Sequence, residues 1–269
     1  MKEFQFYIVP TPIGNLSDVT LRSLDVLKSV DLIACEDSRV TQKLLNHYDI
    51  KTKCVSYHKF NERERVDFLL GQIQEGKQIA LVSDAGTPLF CDPGAVIVKE
   101  LRQHGISVTS LAGANALATF LSQISRNGED FHFYGFLPKS QSQLEELFNK
   151  YSDTDFAFYE SPNRLLKTLE ILRNIRNDAK VAVGRELTKV FEEVIVDSVE
   201  NVIKYFSENT LKGEIVALIF RDETTNITGI DEKIRKLAKK GFKAKEISTI
   251  LSELYNLNKN EIYEQVVKM

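Results

Sequence analysis

Between residues 6 and 111 short apolar runs alternate with amphipathic stretches, and that alternation leaves the chain few ways to fold. The apolar runs occupy residues 6–9, 32–35, 54–57, 79–82 and 107–111, and helical patterns fall near 18–23, 40–48, 62–75 and 95–104. Strand, crossover helix and next strand build a parallel sheet covered by helices, so residues 1–115 are expected to form one α/β lobe. Local signals point the same way. Ser17 and Asp18 are placed to cap the run from Val19 to Val30, and Asn61 with Glu64 has the spacing of a capping box. Gly76 and Gly105 suit helix exits.

After Ala114 the pattern changes. A helical stretch near 117–124 leads through residues 126–130 into the aromatic run 131–136. Strand candidates recur at 156–159, 181–183, 193–196 and 215–220, with helices near 141–151, 162–175 and 199–207. A second α/β lobe with a mixed sheet is expected over 116–224, then a polar link within 222–229 and a helical extension over 230–269. That extension carries nine Lys or Arg against six acids, in a chain whose net charge is −3. Its pattern from Ala244 to Tyr263 resembles a helix-turn-helix. A solvated helical face would have the same composition, so RNA binding and plain solvation both stay open.

The strongest functional signal is Ser83-Asp-Ala-Gly-Thr-Pro-Leu-Phe-Cys-Asp-Pro-Gly94, a strand-to-helix loop far longer than the usual ~2–6 residues. In open α/β sheets ligands bind at the carboxyl ends of strands, and Asp84, Thr87 and Asp92 supply acceptors and a hydroxyl there. Asp92, next to the helix start, is assigned to bracing the loop. A well-ordered turn without a ligand is the alternative. The first strand ends in Pro10-Thr-Pro-Ile-Gly-Asn15, which lacks the Gly-x-Gly-x-x-Gly fingerprint and is stiffened by prolines that remove amide donors. Nicotinamide and flavin cofactors are disfavoured. The second strand ends in Glu36-Asp-Ser-Arg39, bringing two carboxylates and a guanidinium to the same edge.

Composition sets further limits. With 27% charged residues and a net charge of −3 there is no global basic field, so any nucleic-acid site must be local. Cys35, Cys54 and Cys91 are widely spaced, and the four histidines show no ligand spacing, so no metal is expected. The amino terminus has no basic segment followed by a long apolar one, and no run approaches ~18 apolar residues. A soluble cytoplasmic protein is the expectation.

Eight segments in order resemble one family. They are Pro10-Thr-Pro-Ile-Gly-Asn15, Glu36-Asp-Ser-Arg39, His58 with Asn61 and Glu62, Ser83 to Gly94, Gly135-Phe-Leu-Pro-Lys139, Phe158-Tyr-Glu-Ser161 with Arg164, Arg185-Glu-Leu-Thr-Lys189, and Lys212-Gly-Glu214. Together they resemble the bacterial small-subunit ribosomal RNA 2′-O-ribose methyltransferases of the tetrapyrrole methylase superfamily. The resemblance implies a two-lobed α/β fold with a parallel-sheet lobe, a mixed-sheet lobe and a small helical extension that binds RNA. It implies S-adenosylmethionine in the cleft between lobes and methyl transfer to the ribose 2′-hydroxyl of a cytidine in the 16S rRNA decoding region, within the small ribosomal subunit. A homodimer is implied, with neither DNA nor membrane as partner.

Carried onto matching positions, the resemblance places Ile13, Asp84, Thr87, Asn115, Ala116, Tyr159, Gly184 and Gly213 around the cofactor. Asp37, Arg39, Glu186 and Lys189 become candidates for removing the hydroxyl proton, steadying an alkoxide or holding phosphate, with ion pairing as the alternative for each. Glu36 and Asp37 are expected to raise each other's pKa. The chain departs from the family at Leu111-Ala-Gly-Ala-Asn-Ala116, where the family has prolines after the leucine and glycine and a small hydroxyl residue before the last alanine; Asn115 is expected to cap a helix there. Two other activities compete: methylation of a small tetrapyrrole, and a noncatalytic role in RNA binding or ribosome assembly.

Overall fold

Five parallel strands make the amino-terminal sheet: β1 (Phe6–Ile8), β2 (Leu32–Cys35), β3 (Cys54–Ser56), β4 (Ile79–Val82) and β5 (Val108–Ser110), in spatial order β3-β2-β4-β1-β5. The computed structural model describes residues 4–126, 130–209, 211–222, 225–255 and 259–269. Helices α1 (Leu21–Ser29), α2 (Ser38–His47), α3 (Glu62–Gln74) and α4 (Ala95–Gln103) link the strands. β2 and β4 are buried at every position, as befits central strands covered on both faces. Alternate residues feed two apolar clusters. Phe6, Ala34, Leu69 and Leu81 fill one face, while Val9, Ile33, Leu45 and Val82 fill the other. The parallel sheet is as the alternation required.

Two caps differ from expectation. Residues 16–18 form a 3-10 turn, and α1 starts later, with Thr20 Oγ1 accepting from Ser23 N at 3.0 Å. Asn61 makes no cap because its amide is engaged inside the β3–α3 turn, accepting from His58 N at 2.8 Å and donating to Ser56 O at 3.3 Å. Gly76 and Gly105 do close helices, with φ of 89° and 70°.

The second sheet contains β6 (Phe131–Phe136), β7 (Asp155–Glu160), β8 (Lys180–Arg185), β9 (Glu193–Ser198) and β10 (Ile215–Ile219), ordered β6-β7-β10-β8-β9. β6 and β7 are parallel and the other pairs antiparallel, so the sheet is mixed as expected. Helices α6 (Gln141–Lys150), α7 (Pro162–Ile175) and α8 (Val199–Glu208) supply Phe148, Leu169 and Val202 to the core on one face. On the other face α5 (Ala116–Leu121) brings Leu117 and Phe120 against Ala157, Ala182 and Val216, and Ile13 from the first lobe joins them. The lobes therefore share an apolar seam beside the β1 turn.

The expected junction residues 127–129 and link residues 223 and 224 lie outside the described residues. The extension holds α9 (Thr225–Lys239), α10 (Ala244–Tyr255) and α11 (Lys259–Lys268). Its helix begins inside the segment expected as a polar link, because Ile230 and Ile234, one turn apart, pack with Ile247, Leu251 and Ile262 in a core of their own. Residues 256–258, the turn of the expected helix-turn-helix, are outside the described residues. Among the described residues no helix is long and apolar enough to cross a membrane.

Candidate active site

The carboxyl ends of β1 and β4 open onto a cavity of about 420 Å³ whose opposite wall comes from the second lobe. That volume suits a ligand of nucleoside size. Its near wall is knitted by backbone. Thr11 and Gly86 exchange two hydrogen bonds of 2.9 Å, and Thr11 Oγ1 donates to Ser83 O at 3.0 Å. Thr87 Oγ1 donates to Ala114 O at 3.0 Å, tying the long loop to the start of α5. Asn115 caps α5, accepting from Ala118 N at 3.1 Å. Gly113 is needed for close approach, since a Cβ there would stand 2.6 Å from Pro10 Cβ.

The loop itself is under backbone strain. Leu89 and Cys91 adopt φ of 68° and 76°, a left-handed conformation costly for side-chain-bearing residues and often found at ligand sites. At its end Gly94, with φ 136°, donates its N–H to Glu62 Oε1 at 2.9 Å, and the same oxygen accepts from Tyr57 OH at 2.6 Å.

Carboxylates concentrate on this side. Asp84 Oδ1 accepts from Asp37 N at 3.0 Å, and burial raises its pKa. Burial also raises that of Glu36, with Asp84 adding to the effect. Asp92 is pushed up to about 6, chiefly by burial and then by Glu36. Asp37 goes the other way, down to about 2, because Arg39 donates to both of its oxygens. The expected mutual rise of Glu36 and Asp37 therefore fails for Asp37.

Asp92 makes stability depend on pH. A carboxyl whose folded pKa lies above its ordinary 3.8 binds its proton more tightly in the native state, so stability is lost as pH rises from about 4 through about 6. Discounted for partial solvent exposure, the deficit at neutral pH is about 1 kcal/mol. Asp92→Asn should raise the melting temperature at pH 7.5 and lose that advantage at pH 4; a difference independent of pH would contradict the assignment.

Of the residues expected at the cofactor, Ile13, Asp84, Thr87, Asn115, Ala116, Tyr159 and Gly213 line the cavity. Gly184 is not among the lining residues; it lies beneath the Phe120 ring. Tyr159 is pushed up to about 12 by burial and stays a neutral phenol. The four catalytic candidates stand outside the lining. Asp37 caps α2 and pairs with Arg39 at 2.6 Å on the surface. Glu186 and Lys189 pair at 2.8 Å, and Lys189 also reaches Glu214, a lining residue, at 3.0 Å. Burial opposes the charge on Glu186, but hydrogen bonds from Lys189 and the Glu214 N–H outweigh it and its pKa falls.

The turn holding this pair braces the cleft. A Cβ on Gly14 would meet Lys189 Cγ at 2.5 Å, and one on Gly213 would meet Glu186 Oε1 at 2.2 Å. Sequence reasoning missed Phe90, Phe136, Pro162 and Leu187 in the lining; Asp92, assigned to bracing the loop, also lines the cavity, and its side chain hydrogen-bonds with Ser83. The motifs containing Phe136 and Leu187 were the available signal. Among the described residues no group of three or more His, Cys, Asp or Glu is placed to hold a metal.

A family model described as Tetrapyrrole (Corrin/Porphyrin) Methylases matches residues 5–203. The chain belongs to this family. A Vibrio cholerae protein named Ribosomal RNA small subunit methyltransferase I is 42% identical over 96% of this chain and 92% of that relative. One of the same name from Bacillus subtilis is 39% identical, again over 96% and 92%. The fold is also that of a cobalt precorrin-4 methyltransferase (TM-score 0.61, 17% identity, covering 80% of this chain and 94% of that one). A diphthine synthase structure superposes with a TM-score of 0.64 at 14% identity, covering 80% and 89%. The resemblance drawn from the eight motifs is borne out, and this tetrapyrrole methylase is a methyltransferase.

Proposed function

We propose that this tetrapyrrole methylase transfers the methyl group of S-adenosylmethionine to the ribose 2′-hydroxyl of a cytidine in the decoding region of 16S rRNA, in the cytoplasm and as a homodimer. The observation that carries the reading is near full-length similarity to relatives named as small-subunit rRNA methyltransferases, joined to a nucleoside-sized cavity between the lobes. Neither competing activity has a comparable observation behind it.

In this reading Ile13, Asp84, Thr87, Asn115, Ala116, Tyr159 and Gly213 hold the methyl donor. A sulfonium methyl is already activated, so the protein's task is to align the acceptor oxygen with it and shield the pair from water. Asp37, held at about 2, is a weak proton acceptor, and its proposed part is to fix Arg39. The Arg39 side chain, 88% exposed, is free on its outer side to take an RNA phosphate. Glu186 and Lys189 would act on the donor through Glu214 and Gly213.

The test is transfer of label from S-adenosylmethionine to small ribosomal subunits from cells lacking the protein, with mapping of the modified nucleotide. A 2′-O-methylcytidine in the decoding region is expected; no label in the subunits would overturn the reading. Light scattering checks the dimer.

The extension is assigned to the RNA. Lys233, Arg235, Lys236, Lys239, Lys240, Lys243 and Lys245 are all exposed, on α9, its exit and the first turn of α10. Phosphate contacts dominate nucleic-acid affinity and make it salt-dependent. Truncation after Asp222 should weaken subunit binding roughly 10-fold or more at low salt, flatten its salt dependence and leave cofactor affinity unchanged. Unaltered binding and salt slope would contradict this.

A further inference from the structure

Phe60 has 94% of its surface in water, more than any other large apolar side chain among the described residues. The turn that carries it is braced to keep it there. Asn61 ties its own backbone and amide to His58 and Ser56, with Asn61 N donating to His58 O at 3.0 Å. Buried Tyr57 and half-buried Glu62 anchor the turn on both sides, and Glu62 joins it to Gly94 at the end of the cavity loop. The His58 ring stands edge-on to Phe60 with centroids 6.1 Å apart. A ring held out by that many bonds is displayed, not merely left over.

Its position is set by strand order. Tyr57 N donates to Cys35 O at 2.8 Å, so the 57–63 turn lies beside the Glu36–Arg39 segment. Along the edge β3-β2-β4-β1, this turn comes first, the Arg39 segment second, and the two cavity loops follow. Lys59 and Arg63 flank Phe60 and are exposed, as is Glu64, and Arg39, the next cation along the edge, is paired with Asp37. An exposed ring with a lysine and an arginine within three residues of it is the recognition chemistry of an unpaired nucleic-acid strand, where bases stack on rings and phosphates meet Lys and Arg. A second copy of the chain fits poorly, because one ring falls short of the apolar area a stable dimer needs.

We propose that the 57–63 turn seats an unpaired nucleotide neighbouring the methyl acceptor, its base stacked on Phe60 and its phosphates taken by Lys59 and Arg63. This rests on the rRNA reading above. It also requires the target strand to be unpaired, because a base inside a duplex has both faces covered by its stacked neighbours.

The test compares wild type, Phe60→Ala, Phe60→Trp and the double variant K59A/R63A, using labelled S-adenosylmethionine and small ribosomal subunits from cells lacking the protein. Phe60→Ala should raise KM for subunits about 10-fold or more, with kcat at saturation and cofactor affinity within twofold. Phe60→Trp should retain the wild-type KM. K59A/R63A should reduce the slope of log affinity against log salt by about 1.4. A wild-type KM in Phe60→Ala overturns the proposal, as does a change in its oligomeric mass, which would make Phe60 a contact between copies. Failure of the wild type itself to label subunits removes the underlying rRNA reading instead, so the two failures are distinct.

Discussion

Asp84→Ala is expected to weaken S-adenosylmethionine binding about 100-fold while leaving the unliganded protein at least as stable at pH 7.5 as the wild type. The carboxylate sits on the cavity wall with Oδ1 committed to Asp37 N, which leaves Oδ2 for a donor on the ligand. Burial raises its pKa, so the charge is held at a cost in the empty site, and a donor from the ligand relieves that cost. A hydrogen bond to a charged group contributes about 1.5–3 kcal/mol, or roughly 10- to 150-fold in affinity. Removing the carboxylate gives up that interaction and also the cost, the usual opposition between a binding site and stability. Asp84→Asn keeps an acceptor for Asp37 N and should lose only about 10-fold. Calorimetric titration and thermal unfolding on both variants separate the cases. Wild-type affinity in both would remove Asp84, and with it the cofactor assignment, from the cavity. Loss in Ala with full retention in Asn would mean that Asp84 acts by holding the Asp37 segment and not through its charge.

What the sequence revealed follows from which interactions are local. Leu32 to Cys35 and Ile79 to Val82 are unbroken apolar runs bounded by polar residues, and such runs have few places to go other than the middle of a doubly covered sheet. Asp84 and Thr87 were legible as cavity residues because a strand end alone brings them to the edge of the sheet, whereas Asn115 was read from its position as a helix cap and placed at the cavity only through the resemblance. Phe136, Pro162 and Leu187 were not legible, since they reach the cavity only when the second lobe folds over the first. The path of the loop around Asp92 was not legible, for a conformational reason. That path includes left-handed backbone at Leu89 and Cys91, and no residue preference signals that conformation at a leucine or a cysteine. Asn61 shows a further limit: its amide could cap α3 or tie the β3–α3 turn, both local options, and in the fold it ties the turn through His58 N and Ser56 O.

Gly184 supplies the sharpest contrast between motif and geometry, and Gly184→Ala should lower the melting temperature by about 5 °C or more. A Cβ at this position of β8 would stand 2.6 Å and 3.0 Å from two Phe120 ring carbons and 3.2 Å from Val216 Cγ1. Phe120 is fully buried between α5 and the second sheet, so its ring has no room to swing aside. Overpacking of this kind costs about 1–3 kcal/mol, and each kcal/mol shifts the melting point of a chain this size by about 2–4 °C. Phe120→Leu makes room for the added methyl, so the double variant should be more stable than the sum of the two single losses by about 1 kcal/mol or more. If glycine is there for the cofactor instead, the signature reverses: Gly184→Ala would melt with the wild type, bind S-adenosylmethionine poorly and gain nothing from Phe120→Leu. Packing is the expected outcome, because the space a side chain would need at residue 184 is occupied by Phe120 and not by the cavity.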